Sequence, residues 1–231
     1  GMKVGITICD DIWHREPADA AKRIGAELLV NLNASPFHRG KHKERWHALT
    51  LRTTEQKIPM IYVNQVGGQD ELVFDGGSFA TNADGEPAVV APDFEEGCFE
   101  IMVERTVRGL EVVPGVTAAT LSDVAAVWQA LVLGVRDYVE KNGFPGVVLG
   151  LSGGIDSAVT LAVAVDALGA DRVQAVMMPF KYTAEMSVED AGEQASIMGV
   201  EYDVISIESI YAAFMAGLTD QFHGLNADTT E

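Results

Sequence analysis

The run Leu149-Gly150-Leu151-Ser152-Gly153-Gly154-Ile155-Asp156-Ser157 sets a glycine-rich turn between two apolar segments. Residues 146–151 are short, apolar and partly β-branched, the pattern of a buried parallel strand. Ile155–Leu168 lacks Pro and Gly, is rich in Ala, Val and Leu, and ends at Gly169, a natural helix stop. The turn therefore joins strand to helix, which commits this part of the chain to an α/β unit. Backbone N–H groups in such a turn, with the positive helix end behind them, form a cradle for phosphate groups. Ser152 and Ser157 add hydroxyls, and Asp156 adds a carboxylate suited to a divalent cation. No Gly-Lys-Ser/Thr follows the glycines, and the third glycine of a dinucleotide fingerprint is absent. A tight structural turn with a serine cap is the alternative reading.

The residues that follow keep the strand–helix rhythm. Residues 173–178 read as a second strand, and Ser187 can cap a helix running through Gly192 to about Met198, with Asp190 as its acidic partner and Gly199 as its end. Residues 202–207 alternate as a third strand, and a further helix is expected near 209–216. This alternation predicts a doubly wound parallel sheet with its ligands at the carboxyl ends of the strands. In the front half, residues 4–8 form a β-type run ending at Cys9-Asp10-Asp11-Ile12-Trp13. A cysteine at a strand end suits an exposed nucleophile, and equally a small buried hydrophobe. Pro17 can open a helix that Gly25 closes. A strand within 27–37, a helix over Lys41–Gln56 and a strand over 60–63 follow, and Asn82-Ala83-Asp84-Gly85 signals a hairpin. Ser122 caps a helix whose apolar face is expected to be Val124, Trp128, Leu131, Val135, Tyr138 and Val139.

The net charge of −18, from 34 acidic against 16 basic residues, argues against a nucleic-acid partner, which needs clustered Lys and Arg. No apolar run approaches the roughly 20 residues that span a bilayer, so no membrane partner is expected. The two cysteines point to a reducing, cytoplasmic setting. Cys98 lies in a strand-like pattern over 97–103 and is expected in the core. His38 and His42 stand four apart without the carboxylate of a zinc motif. With Arg39, Lys41, Lys43 and Arg45 they form a basic patch, read as a solvated helix face or a contact surface.

Ser152-Gly153-Gly154-Ile155-Asp156-Ser157 resembles the PP-loop of the ATP pyrophosphatase family, whose members split ATP between its α and β phosphates. Met178-Pro179-Phe180-Lys181-Tyr182-Thr183-Ala184-Glu185-Met186-Ser187 resembles the "MP-x-x-Y-S-S-x-x-S" segment of NAD⁺ synthetases, with Thr183 and Ala184 in place of paired serines. The blocks I-C-D-D-I-W at 8–13, N-L-N-A-S-P-F at 31–37 and Y-V-N-Q-V-G-G-Q-D-E-L-V-F-D-G-G-S-F at 62–79 resemble the nitrilase-type glutaminase half of the glutamine-dependent NAD⁺ synthetase family. The resemblance implies a partial nitrilase-type αββα sandwich over 3–112, a linker over 113–121, and the front of a PP-loop synthetase domain over 122–231. It implies that Cys9 is the nucleophile, and that Asp10, where Glu is more frequent, and Ser35 bind glutamine. Ser152, Gly153, Gly154, Ile155, Asp156, Ser157 and Met178 would bind ATP and its pyrophosphate, with Mg²⁺ on Asp156. The implied substrates are glutamine, ATP and deamido-NAD⁺, and the implied assembly is a homo-oligomer with an ammonia channel.

The Glu and Lys of the nitrilase-type triad lie far upstream in the family, and only eight residues precede Cys9 here. Gly1-Met2 reads as a cloning remnant plus a start. Family members also continue past Asp228-Thr229-Thr230-Glu231. The expectation is therefore a segment of a longer enzyme, marginally stable or associating, with little or no activity by itself. Two other readings stay open: another amide-forming adenylating PP-loop synthetase, and a non-catalytic nucleotide-binding fragment.

Overall fold

The computed structural model describes residues 1–221 and 223; Asp228-Thr229-Thr230-Glu231 lie outside the described residues. The chain forms two compact units, Gly1–Lys141 and Asn142–Glu231. The architecture is mixed α/β with parallel sheets, as the alternation of elements predicts.

The first unit opens with β1 (Val4–Ile8), α1 (Arg15–Arg23), β2 (Leu28–Asn33), α2 (Lys41–Gln56) and β3 (Met60–Asn64), whose three strands pair in parallel. β4 (Val66–Gln69) and β5 (Leu72–Asp75) make a hairpin, and β6 (Phe79–Thr81) and β7 (Pro87–Val90) extend the sheet antiparallel in the order β1-β2-β3-β6-β7. The β6–β7 turn falls on the predicted Asn82-Ala83-Asp84-Gly85 signal. β8 (Val103–Thr106) and β9 (Gly109–Val112) form a second hairpin before α3 (Asp123–Lys141). One sheet face buries Leu29, Met60, Tyr62 and Phe79 with Ala18 and Leu49 of α1 and α2. Gly5 permits this approach, since a Cβ there would lie 2.6 Å from Leu29 Cδ2 and 3.0 Å from Ala21 Cβ. On the other face the register lines up Ile6, Val30 and Ile61 in one row and Ile8, Leu32 and Val63 in the next. Ile6 and Ile8 of this apolar surface are 67% and 65% exposed.

Ser122 caps α3 as expected, its Oγ accepting the Ala125 N–H at 3.2 Å. The buried face overlaps the expected one only in part: Val139 is buried and Trp128 and Val135 are half-buried. Ala126, Ala130 and Leu133 pack against Phe37, Val66, Val73 and Phe94, while Val124, Leu131 and Tyr138 are exposed. The cause is a close approach to β4, where a Cβ on Gly68 would lie 3.3 Å from Gly134 Cα. Gly68 N–H donates to Asp137 Oδ2 at 2.7 Å, and Lys141 Nζ donates to the Gly68 carbonyl at 2.6 Å. Cys98 is also placed differently: it is exposed, because residues 97–101 find no ladder neighbour and β8 begins only at Val103. That segment instead lines a cavity of about 470 Å³ with Ile61, Val63 and Val89.

In the second unit, β10 (Val147–Gly150), α4 (Ile155–Leu168), β11 (Val173–Met177), α5 (Glu185–Met198), β12 (Glu201–Val204) and α6 (Glu208–Leu218) alternate. The strands pair in parallel in the order β10-β11-β12. Leu161 and Ala164 of α4 and Ala191 and Ala195 of α5 pack with Val173, Ala175 and Met177 as one core. α5 begins two residues before Ser187, with Ala184 at its N-cap, so Ser187 sits in the first turn rather than capping it. Gly199 ends it with a φ of +70°. All three strands end at one edge, where Leu151 N–H bonds the Val176 carbonyl and Ile205 N–H the Met177 carbonyl.

Candidate functional site

Cys9 follows β1 directly and is exposed, with a φ of +46° that few residues other than glycine adopt. Such a left-handed residue at a strand end turns the chain sharply and leaves the thiol accessible. The turn is held by Asp11, whose Oδ2 accepts the Ile8 N–H at 2.8 Å. Asp10 points its carboxylate outward to His14 Nε2 at 3.3 Å and makes no contact with Ser35.

Ser35 is buried at the end of β2, and its surroundings were not legible in the sequence. Arg45 Nε donates to Ser35 Oγ at 3.1 Å, while Nη2 donates to the carbonyls of Ser35 at 2.7 Å and Pro36 at 3.1 Å. Arg45 Nη1 bonds both Asp75 oxygens at 2.7 and 2.9 Å. Asn64 Oδ1 accepts the Ser35 N–H at 2.9 Å. Burial pushes the Tyr62 phenol up, against the pull of the Arg45 charge. Behind it runs a buried polar ladder, Asn31 Nδ2 to Thr7 Oγ1 at 3.0 Å and Asn33 Nδ2 to Asn31 Oδ1 at 2.6 Å.

The basic patch is not a uniformly solvated face. Arg45 is 1% exposed, and Trp46 Nε1 donates to His42 Nε2 at 2.8 Å. Burial pushes the His42 imidazole down and the Asp93 carboxyl up, each opposed by the other's charge. Lys41 lies 4.5 Å over the Trp13 ring, which brings a cation to the turn that carries Cys9. The sequence signal for Arg45 and Lys41 was present only as undirected charge.

In the second unit, the glycine turn lies at the carboxyl end of β10 and is exposed, with only Leu151 buried before it. Gly153 has a φ of +78°, and a Cβ there would fall 2.2 Å from the Ser187 carbonyl oxygen. The turn is thus pressed against the first turn of α5. Ser152 N–H donates to Ser157 Oγ at 3.2 Å, and that hydroxyl donates to the Gly154 carbonyl at 2.9 Å. The first ladder bond of α4 is Ala158 N–H to Gly154 carbonyl, leaving the preceding N–H groups without carbonyl partners. A cavity of about 580 Å³ is lined by Ser152, Met178, Tyr182, Thr183 and Ala184 and by Ser187. The cavity thus lies at the start of α5 with Ser152 of the glycine turn on its wall, a geometry suited to an anion. Thr183 Oγ1 accepts the Phe180 N–H at 2.9 Å, and Ala184 offers no side-chain cap, so the residues replacing the paired serines shape the backbone.

The carbon-nitrogen hydrolase family matches residues 1–110, and the NAD synthase family matches residues 127–230. The two matches follow one another within this one polypeptide. It is 47% identical over its whole length to a glutamine-dependent NAD(+) synthetase of Acinetobacter baylyi and 36% identical to that of Thermotoga maritima. It spans 42% and 46% of the length of those relatives. The solved glutamine-dependent NAD⁺ synthetase of Acinetobacter baumannii, in complex with ADP, superposes with a TM-score of 0.94 at 46% identity, covering 99% of this chain and 43% of that one. The NAD synthase match takes in most of α3, although α3 packs within the first compact unit.

Proposed function

We propose that this chain acts as part of a glutamine-dependent NAD⁺ synthetase, with residues 3–112 in the glutamine amidase, 113–121 as linker and 122–231 in the synthetase. The Cys9 thiolate attacks the glutamine carboxamide, the C–N bond breaks, ammonia leaves, and water hydrolyses the thioester to glutamate. Ser35 and Asp10 hold the glutamine substrate. In the synthetase, the carboxylate of deamido-NAD⁺ attacks the α-phosphorus of ATP and pyrophosphate leaves. Ammonia then displaces AMP to give NAD⁺.

Ser152, Gly153, Gly154, Ile155 and Ser157 bind the departing pyrophosphate through preorganised donors, and Met178 borders the nucleotide. A magnesium ion fits here: Asp156 is an exposed carboxylate beside the phosphate cradle, and Mg²⁺ is commonly held by one or two carboxylates plus substrate phosphates, where it would neutralise developing charge.

The observation that carries this reading is the exposed glycine turn, pressed against the start of α5 beside a cavity that Ser152 helps to line, in the same chain as an accessible strand-end cysteine. We further propose a cytoplasmic homo-oligomer using small-molecule substrates, without nucleic acid or membrane; no described helix is long and apolar enough to cross a membrane. By itself, at 42% of its relatives' length, the chain is expected to have little or no activity. Product analysis of the full-length protein tests the assignment. Deamido-NAD⁺ with ATP and glutamine should yield NAD⁺, AMP and pyrophosphate; turnover of a different carboxylate instead would assign another adenylating synthetase.

A further inference from the structure

We propose that Arg45 is a positioning residue of the amide site, fixing Ser35 so that its hydroxyl hydrogen is the one group left to donate toward the substrate. The inference rests on the reading of Cys9 and Ser35 as an amide site.

Arg45 sits on α2, is 1% exposed, and spends its donors unequally. A structural ion pair would be satisfied by Asp75 alone. Here Nε and Nη2 serve Ser35 Oγ, the Ser35 carbonyl and the Pro36 carbonyl. Asp75, 3% exposed at the end of β5, cancels the buried charge with both oxygens. Asn64, at the end of β3, takes the Ser35 N–H on Oδ1 and donates from Nδ2 to the Gly76 carbonyl at 3.1 Å. The backbone N–H, backbone carbonyl and Oγ lone pair of Ser35 are therefore all occupied from within. A serine oxygen that accepts from a guanidinium is polarised as a donor, which leaves its hydrogen for the substrate. Lysine cannot substitute, because its three donors on one nitrogen cannot span Asp75 and the Ser35–Pro36 carbonyls together.

The test is a kinetic cycle in the full-length protein with deamido-NAD⁺ and ATP, using glutamine or ammonium as nitrogen source. The variants are Arg45→Lys, Ser35→Ala and the double variant. Arg45→Lys should raise the glutamine KM about tenfold relative to the change seen with ammonium, and should add less than twofold in the Ser35→Ala background. Multiplicative effects of the two substitutions, or equal losses with both nitrogen sources, overturn the proposal and leave Arg45 a structural residue. If Arg45→Lys fails to fold, Arg45→Gln with Asp75→Asn removes both buried charges together and carries the same cycle, with the same outcomes. A wild type that uses ammonium but not glutamine removes the amide reading itself, and the proposal with it. A wild type that uses glutamine with an unaltered KM in Arg45→Lys removes only the role of Arg45.

Discussion

Gly153 carries two constraints at once. Its φ of +78° favours glycine, and the Ser187 carbonyl leaves no room for a side chain. Gly153→Ala therefore meets left-handed strain of roughly 1–2 kcal/mol and a backbone clash that must push the turn away from α5. By calorimetry it should weaken ATP binding at least tenfold. Asp156→Ala should abolish the magnesium dependence of that heat while leaving the fold intact, since Asp156 is exposed. The turn was legible because its residues are contiguous and their spacing encodes the geometry. Arg45 was not. Its partner Asp75 is 30 positions away, and a run of basic residues does not show which side chain turns inward. Arg45→Met should cost roughly 3–5 kcal/mol in urea unfolding, because it leaves Asp75 buried and unpaired. Cys98 failed for the converse reason: alternation makes a strand only where a neighbour offers a ladder.

The extents of most elements follow from punctuation. Gly169 and Gly199 end α4 and α5, and the bounds of α2 match the sequence reading. The buried face of α3 follows only in part from its own pattern, which placed Val139 inside but not Ala130 and Leu133, because α3 packs closely on Gly68 of a hairpin far earlier in the chain. Another long-range tie joins β8 to the start of β2, where Arg105 Nη1 lies 2.7 Å from Glu27 Oε1. The Arg105 hydrogen bond, helped by the Lys3 N–H, holds the Glu27 carboxyl at about 2. The folded chain thus binds this proton more weakly than the unfolded chain. The tie contributes fully above the ordinary value of 4.5 and fades as pH falls toward about 2. In urea titrations from pH 6 to 2, the stability difference between wild type and Glu27→Gln should be small, as befits an exposed pair, and should shrink toward acid. A difference that grows with acid would contradict this.

At the scale of the molecule, one sheet face of the first unit presents Ile6, Ile8, Leu32 and Val63 to solvent. Exposed apolar surface of this kind drives association. The chain alone should show concentration-dependent sedimentation and melting, and Ile6→Lys with Ile8→Lys should reduce both; a sharply melting monomer at low concentration would contradict the expectation. The union of two family signatures was readable from local motifs, whereas the division into compact units was not, since α3 follows one family in sequence and the other unit in packing. The central claim is that glutamine nitrogen and ATP cleavage meet in one synthesis of NAD⁺. The full-length protein, given deamido-NAD⁺, ATP and glutamine labelled with ¹⁵N at its amide, tests it most directly by mass spectrometry. The account predicts ¹⁵N in the carboxamide of NAD⁺, lost in Cys9→Ala. Unlabelled NAD⁺, or label that survives loss of Cys9, would contradict it.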